Sequence, residues 1–516
     1  MRAILSVLRR RRVSFAWILA LCLVTSAGLT LLTPFFLKYV FDSCIASRDI
    51  GRFAGLIAGF IAAATLWRLL GLHLDLRTQR LKHELLRDLT VSLLGKYYRL
   101  PYRDAARRDP GYYATRIYDE ALAAATGSVD LAIAVATAAV TLGVSVLILA
   151  RLSLPSTLLL ALCMPVLLFI AAGHGADVKR HSGAEAEEEG RLRGFITQAV
   201  RAYKSVRLFA LDSPVFLGLQ GRLEAYTAAS FSRRRSSCRH NTAGSVAMSY
   251  AEALIITACG YRMMRGEMTF GAFMAFMSAF WTAVNALRAL AQRWPELAKN
   301  EVLVGRIEGF LSAPEAVAPA AAPDACLAFE GVCFGYDGTP VLKGLDFTVA
   351  AGERVLLRGR NGSGKSTLAD MLATFLPPDA GRARTPPIER VSAALTPHPF
   401  IPGSVASNLG WQALRGPERL RLLSLLGEFE LEGLLDREVD SLSMGQRKKV
   451  AVLMGLMKDA DLYVFDEPLA NLDAESKRKV LARILARTRG KTLVAIMHGD
   501  DGLACDFDRT LVLPSA

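Results

Sequence analysis

Apolar residues take two different textures along the chain. Up to about residue 300 they form unbroken runs, six of which are long enough to cross about 30 Å of hydrocarbon. These runs cover residues 13–40, 53–72, 131–150, 154–173, 245–261 and 270–290. Three of the breaks between them are short, at 43–52, 151–153 and 262–268. Two are long, 73–130 and 174–244, and keep a helical period of apolar positions. The pattern predicts a membrane all-α domain of six helices, with spans that continue as helices well beyond the hydrocarbon. Basic side chains gather in the long breaks: Arg77, Arg80, Lys82, Arg87, Lys96 and Arg99 in the first, Arg233, Arg234, Arg235 and Arg239 in the second. Cationic loops favour the cytoplasmic side, so both long breaks are expected there and the short ones outside. An even number of spans then leaves both termini cytoplasmic.

Residues 313–325 are dominated by Ala and Pro, a linker composition. Beyond them the apolar runs shorten to strand length, as at 354–357, 462–465 and 492–496, and alternate with helical segments. That alternation predicts an α/β domain built on a mostly parallel sheet. The expected organisation is a transmembrane domain over 1–312, a linker over 313–325 and an α/β domain over 326–516.

Composition narrows the class. The 516 residues are 52% hydrophobic and carry a net charge of +14, with a mean hydropathy of +0.29. A basic balance fits either a nucleic-acid binder or a membrane protein with cationic cytoplasmic loops. The six apolar runs decide for the membrane, and no nucleic-acid partner is expected. Residues 1–12 hold five arginines ahead of the first run. That run is too long for the apolar core of a signal peptide, so a retained first span is expected. The eight cysteines form no paired spacing and read as free thiols.

Three stretches carry chemistry. Gly359, Gly364, Lys365 and Ser366 fit G-x-x-x-x-G-K-[ST], between a strand run and an apolar helix. Glycines let the backbone amides of Gly359, Asn361, Gly362, Ser363 and Gly364 curl around phosphate, and the following helix adds its positive N-terminus. Lys365 is expected on the β- and γ-phosphates, Ser366 on Mg²⁺, and Thr367 completes the ATP site. Asp466 ends an apolar strand run and Glu467 follows it. An Asp-Glu pair after a phosphate loop suits Mg²⁺ held through water by Asp466 and an attacking water polarised by Glu467. Ser443, Met444, Gly445 and Gln446 open a helix whose amides can take up a γ-phosphate.

In this order the motifs resemble those of the ABC (ATP-binding cassette) superfamily. Residues 442–446 resemble its LSGGQ signature, with Met444 in place of a glycine. The resemblance implies that the signature grips ATP bound to a second subunit. Tyr336 matches the aromatic residue that stacks on adenine, Asp473 the D-loop aspartate and His498 the switch histidine at the γ-phosphate. With Lys365 and Glu467, His498 makes up the expected catalytic set. Six spans followed by one cassette resemble a half-size exporter of the type IV fold. That implies ATP and Mg²⁺ as cofactors, a second half-transporter as partner with a homodimer favoured, contact with membrane lipid, and a place in the cytoplasmic (inner) membrane. Expected cargo is a peptide, siderophore precursor, lipid or hydrophobic small molecule. Residues 446–449, Gln-Arg-Lys-Lys, resemble exporters of cyclic peptides and siderophore precursors.

The chain departs from the family pattern where cassette and membrane domain communicate. Thr396 stands where the family has its Q-loop glutamine, the 381–396 segment is short, and no X-loop is recognisable in 435–441. Those departures motivate the alternative of a membrane protein whose ATP binding regulates or assembles a partner. Polar residues in or near the spans are Lys38, Arg68, Asp130, Glu252, Asn285 and Arg288. Of these, Glu252 is the most interior and is expected either to face a central cavity or to pair with an arginine.

Overall fold

The computed structural model describes residues 9–45, 47–316, 327–336, 338–360, 362–398, 400–497 and 506–513. Side chains at 162–180, 182, 186, 240, 241, 292, 294, 295 and 298 lie outside that description. The chain divides into two compact units, Met1–Gly95 with Gly111–Ser312, and Lys96–Pro110 with Ala313–Ala516. Most of the expected linker falls in the undescribed stretch 317–326.

The first unit is helical throughout. Its long helices are α1 (Arg12–Tyr39), α2 (Ile50–Tyr97), α3 (Ala121–Leu152), α4 (Leu154–Arg201), α5 (Asp212–Met264) and α6 (Phe270–Leu311). Among the described residues, five helical stretches are long and apolar enough to cross a membrane: Arg12–Ile45, Ile50–Tyr97, Pro110–Leu152, Asp212–Met264 and Phe270–Ala291. The fourth expected span, 154–173, lies on α4, with its side chains mostly outside the description. The long breaks are helical, as their periodicity predicts, because spans run on without a break in apolar period. Breaks at the short loops have local causes. Ser153 accepts from the amide of Ser156 and caps α4, with Pro155 in its first turn. Thr269 caps α6 in the same way.

Helices in lipid gain little from apolar burial against one another, so close backbone approach and hydrogen bonds decide their pairing. The α3–α6 contact shows this. Ala121, Ala124, Ala125 and Ser128 are buried on α3, and Asn300 of α6 donates to Ser128 Oγ at 3.1 Å. A β-carbon at Gly127 would collide with the Asn300 amide. Asp42, in the π-helical turn Val40–Ile45, accepts from the Gly271 amide at 2.9 Å and the Thr269 hydroxyl at 2.8 Å. It therefore caps α6 from 227 residues away in sequence.

The second unit holds two sheets. Strands β1 (Leu327–Tyr336), β2 (Thr339–Val349), β3 (Arg354–Arg358), β4 (Ala380–Arg384), β5 (Val391–Ala394), β6 (Leu462–Asp466), β7 (Thr492–Ile496) and β8 (Arg509–Val512) follow in chain order. A five-stranded parallel sheet has the order β5-β6-β7-β3-β8, and β2-β1-β4 form an antiparallel sheet. β6 and β7 are buried at every position, which fits central strands of a sheet covered on both faces. One apolar core lies between the two sheets, around Phe329, Phe334, Leu368 and Leu372. The other joins the parallel sheet to a helical region, around Leu422, Phe429, Val452, Leu456 and Phe465.

Candidate active site

The loop between β3 and the helix Lys365–Leu372 (α7) is built from its glycines. Gly362 and Gly364 have φ of +83° and +84°, which a side chain would strain. A β-carbon on Gly364 would also strike Leu342 and Val341, so β2 can press against the loop only because no side chain is there. Lys365 is buried, and its ammonium donates to the Gly359 and Arg360 carbonyls at 2.9 and 2.8 Å. Ser363 is buried, and its hydroxyl has no hydrogen-bond partner among the described residues. A buried hydroxyl costs free energy unless it is bonded. Together with the loop amides, it suits a phosphate oxygen. Asn361 lies outside the described residues.

Asp466 ends β6, next to β7, and is 3% exposed. Burial pushes its carboxyl above the usual range, opposed by the Thr396 amide. Glu467 follows with φ of +49°, an unfavourable conformation for a residue with a side chain. Its amide donates to Ile496 O at 2.9 Å, which ties the strained residue to β7. The exposed Ser366 hydroxyl and the Asp466 carboxylate are hard oxygen donors, the kind Mg²⁺ takes. A buried carboxylate with a raised affinity for protons also favours a cation beside it. The residues present fit the ion.

Helix α8 (Gly416–Glu428) and helix α9 (Met444–Met457) follow β5 in the chain. The signature residues form the start of α9. Ser443 accepts from the Gln446 amide, and the Gln446 side chain accepts from the Ser443 amide, at 3.2 and 3.0 Å. This reciprocal cap fixes the helix start. Met444 is 65% exposed. Gly445 packs against Asn471 O and Leu472. Asn471 itself has φ of +63°. Asp473 caps the next helix, α10 (Ala474–Arg487), and hydrogen bonds from Ser476 hold its carboxyl below the usual range. His498 lies outside the described residues.

Tyr336, at the end of β1, is 45% exposed and meets Phe334 edge-on at 5.1 Å. Next to it is a cluster that sequence reasoning missed. Asp379 accepts from the Gly335 amide at 2.9 Å and from Arg103 at 2.6 Å, while Arg103 also reaches Gly335 O and lies over the Phe334 ring. The Gly335 amide and Arg103 hold the Asp379 carboxyl below its usual range. A second missed group is Lys448 on α9, 7% exposed. Its ammonium reaches Thr396 Oγ1 at 3.2 Å, His398 Nε2 at 3.3 Å and Asp466 O at 3.3 Å. A sequence signal for it existed. Positions 448, 452, 455 and 456 share one face of α9 and are buried together.

Comparison with known families places the whole arrangement. The family model for the ABC transporter transmembrane region matches residues 16–287, more than half of the chain. The chain belongs to the ABC transporter family. A second family model, described as ABC transporter, matches residues 342–470 of this same ABC transporter. Among curated relatives, the "ATP-dependent lipid A-core flippase" of Burkholderia pseudomallei (strain 1710b) is 25% identical over 379 residues, 66% of this chain and 62% of the relative. The protein of that name from Xylella fastidiosa (strain Temecula1 / ATCC 700964) is 23% identical, over 97% of this chain and 92% of its own. A solved structure described as "a bacterial Atm1-family ABC exporter with ATP bound" shares the fold, with a TM-score of 0.79 and 21% identity over 99% of this chain and 94% of that one.

Proposed function

We propose that this ABC transporter is a half-size exporter that works as a homodimer in the cytoplasmic membrane, with both termini in the cytoplasm. Two ATPs are held between the cassettes, each between residues 359–367 of one chain and 443–446 of the other. The observation that carries the reading is the co-occurrence, in one chain, of membrane-crossing helices, a glycine-built phosphate loop, a strained Glu467 after Asp466, and a capped signature helix with Met444 exposed. Tyr336 stacks on adenine, and Lys365 draws charge from the γ-phosphate. Ser366 and Asp466 hold Mg²⁺, which supplies charge neutralisation when bound. Glu467 accepts a proton from water as the water oxygen bonds to the γ-phosphorus and the bond to the β-phosphate oxygen breaks, which gives ADP and phosphate. His498 and the partner cassette's Asp473 complete the closed site. Closing favours the state that binds ATP sandwiched and opens the cavity outward.

The cargo class we favour is an amphipathic lipid, supported by the name that the relatives share. Proteoliposomes with a fluorescent lipid in the ATP-accessible leaflet should lose it to the other leaflet on addition of ATP, and not with Glu467→Gln. Hydrolysis without lipid movement would reject the lipid, and ATP-driven uptake of a peptide into inverted vesicles would replace it. Thr396 at the Q-loop position favours the second reading, in which ATP binding regulates a partner. ATP-driven movement of any cargo excludes that reading.

A further inference from the structure

The position of the Q-loop glutamine is filled by Thr396, whose hydroxyl is too short to do what a glutamine side chain does. Lys448 reaches Thr396 from another element. Lys448 lies buried in the second turn of α9, on the face that carries the buried Val452 and Leu456. Its ammonium has three protons, and three acceptors surround it: Thr396 Oγ1, His398 Nε2 and Asp466 O. Thr396 Oγ1 in turn donates to Asp466 O at 2.9 Å, and the Thr396 amide reaches Asp466 Oδ2 at 3.4 Å. An ammonium buried to this extent is costly unless its donors are satisfied. Here every donor is matched, so the network holds one geometry. It ties together three elements: the end of β5, the Asp466-Glu467 turn after β6, and the signature helix.

We infer that Lys448 is a positioning residue for ATP hydrolysis that replaces the missing glutamine. It acts through Thr396 and the Asp466 main chain, and it fixes the turn in which Glu467 is held at φ +49°. It also ties the α9 start, which grips one ATP, to the carboxylates that serve the other. The inference rests on the proposed two-site reading of the cassette. Among the described residues, the groups acting on Lys448 are Thr396, His398, Asp466 and, through its charge, Glu467.

The test is steady-state ATPase kinetics on the full-length protein in lipid nanodiscs, with Lys448→Gln, Lys448→Met and Thr396→Val, alone and combined. Wild type must hydrolyse ATP first; an inactive wild type refutes the ATPase reading, independently of Lys448. Given an active wild type, Lys448→Met is expected to lower kcat about tenfold or more with KM for ATP within about threefold. Thr396→Val in the Lys448→Met background should add little, because both variants break one network. Lys448→Gln, which restores an amide donor, should recover part of the loss. A kcat for Lys448→Met within about twofold of wild type overturns the inference. So does a loss carried by KM alone, or full additivity with Thr396→Val. If Lys448→Met does not fold, Lys448→Gln and Thr396→Val carry the same comparison, and wild-type kcat in both overturns it.

Discussion

Asp370, on α7 behind the phosphate loop, carries a carboxyl that burial and the charge of Asp466 push up to about 6. In the unfolded chain the same group titrates near its ordinary value, so between about pH 4 and 6 the folded cassette binds more protons than the unfolded one. Stability from this group is therefore greatest at the acid end of that window and falls as pH rises through it. Asp370→Asn should raise the melting temperature at pH 8 and lose that advantage near pH 4, as read by scanning calorimetry in detergent. A gain independent of pH would contradict the assignment. Arg103 gives a second residue-scale prediction. Arg103→Ala leaves Asp379 with the Gly335 amide alone, so the β1 end before Tyr336 loses a brace. KM for ATP should rise about threefold, the worth of one solvent-accessible charged bond. An unchanged KM would show that the brace does not reach the adenine position. The phosphate loop was legible in the sequence because its glycine spacing and flanking elements are local. The burial of Lys448 could be read from the face of α9 it shares, but its partners could not, because they lie 18 to 52 residues away and only the folded sheet brings them to one point.

Helices in the first unit owe their ends to polar groups from elsewhere. Asp42 satisfies the Gly271 amide at the start of α6, where a helix leaves donors without partners. Asp42→Ala should cost about 1 kcal/mol and lower the melting temperature of the detergent-solubilised protein by about 2–4 °C. Gly271→Ala should cost more, because the new β-carbon collides with the Asp42 carboxylate and the Lys38 carbonyl. Equal stability of both variants and wild type would remove Asp42 from the list of caps. Five of the six expected spans were legible as unbroken apolar runs, and the long basic breaks as helices by their period. Three things were not. The π-helical turns at Val40–Ile45 and Thr115–Glu120 leave no period of their own. Asp130 pairs with Lys82 at 2.6 Å, which tandem reading of either helix does not reveal. Glu252 accepts from the Trp281 indole at 3.1 Å, a contact between α5 and α6 that depends on their packing.

At the scale of the whole molecule, the cassette and the membrane-crossing helices belong to one chain, and the family membership follows from both halves. The signature helix is capped at its start and exposes Met444, and in the proposed dimer it would complete the site of a second cassette. The most direct measurement of the central claim is ATP hydrolysis by the purified protein in lipid nanodiscs, compared between wild type and Glu467→Gln. Wild type should hydrolyse ATP, and Glu467→Gln should lose about a hundredfold or more of that activity while still binding ATP. Glu467→Gln protein as active as wild type would contradict that claim.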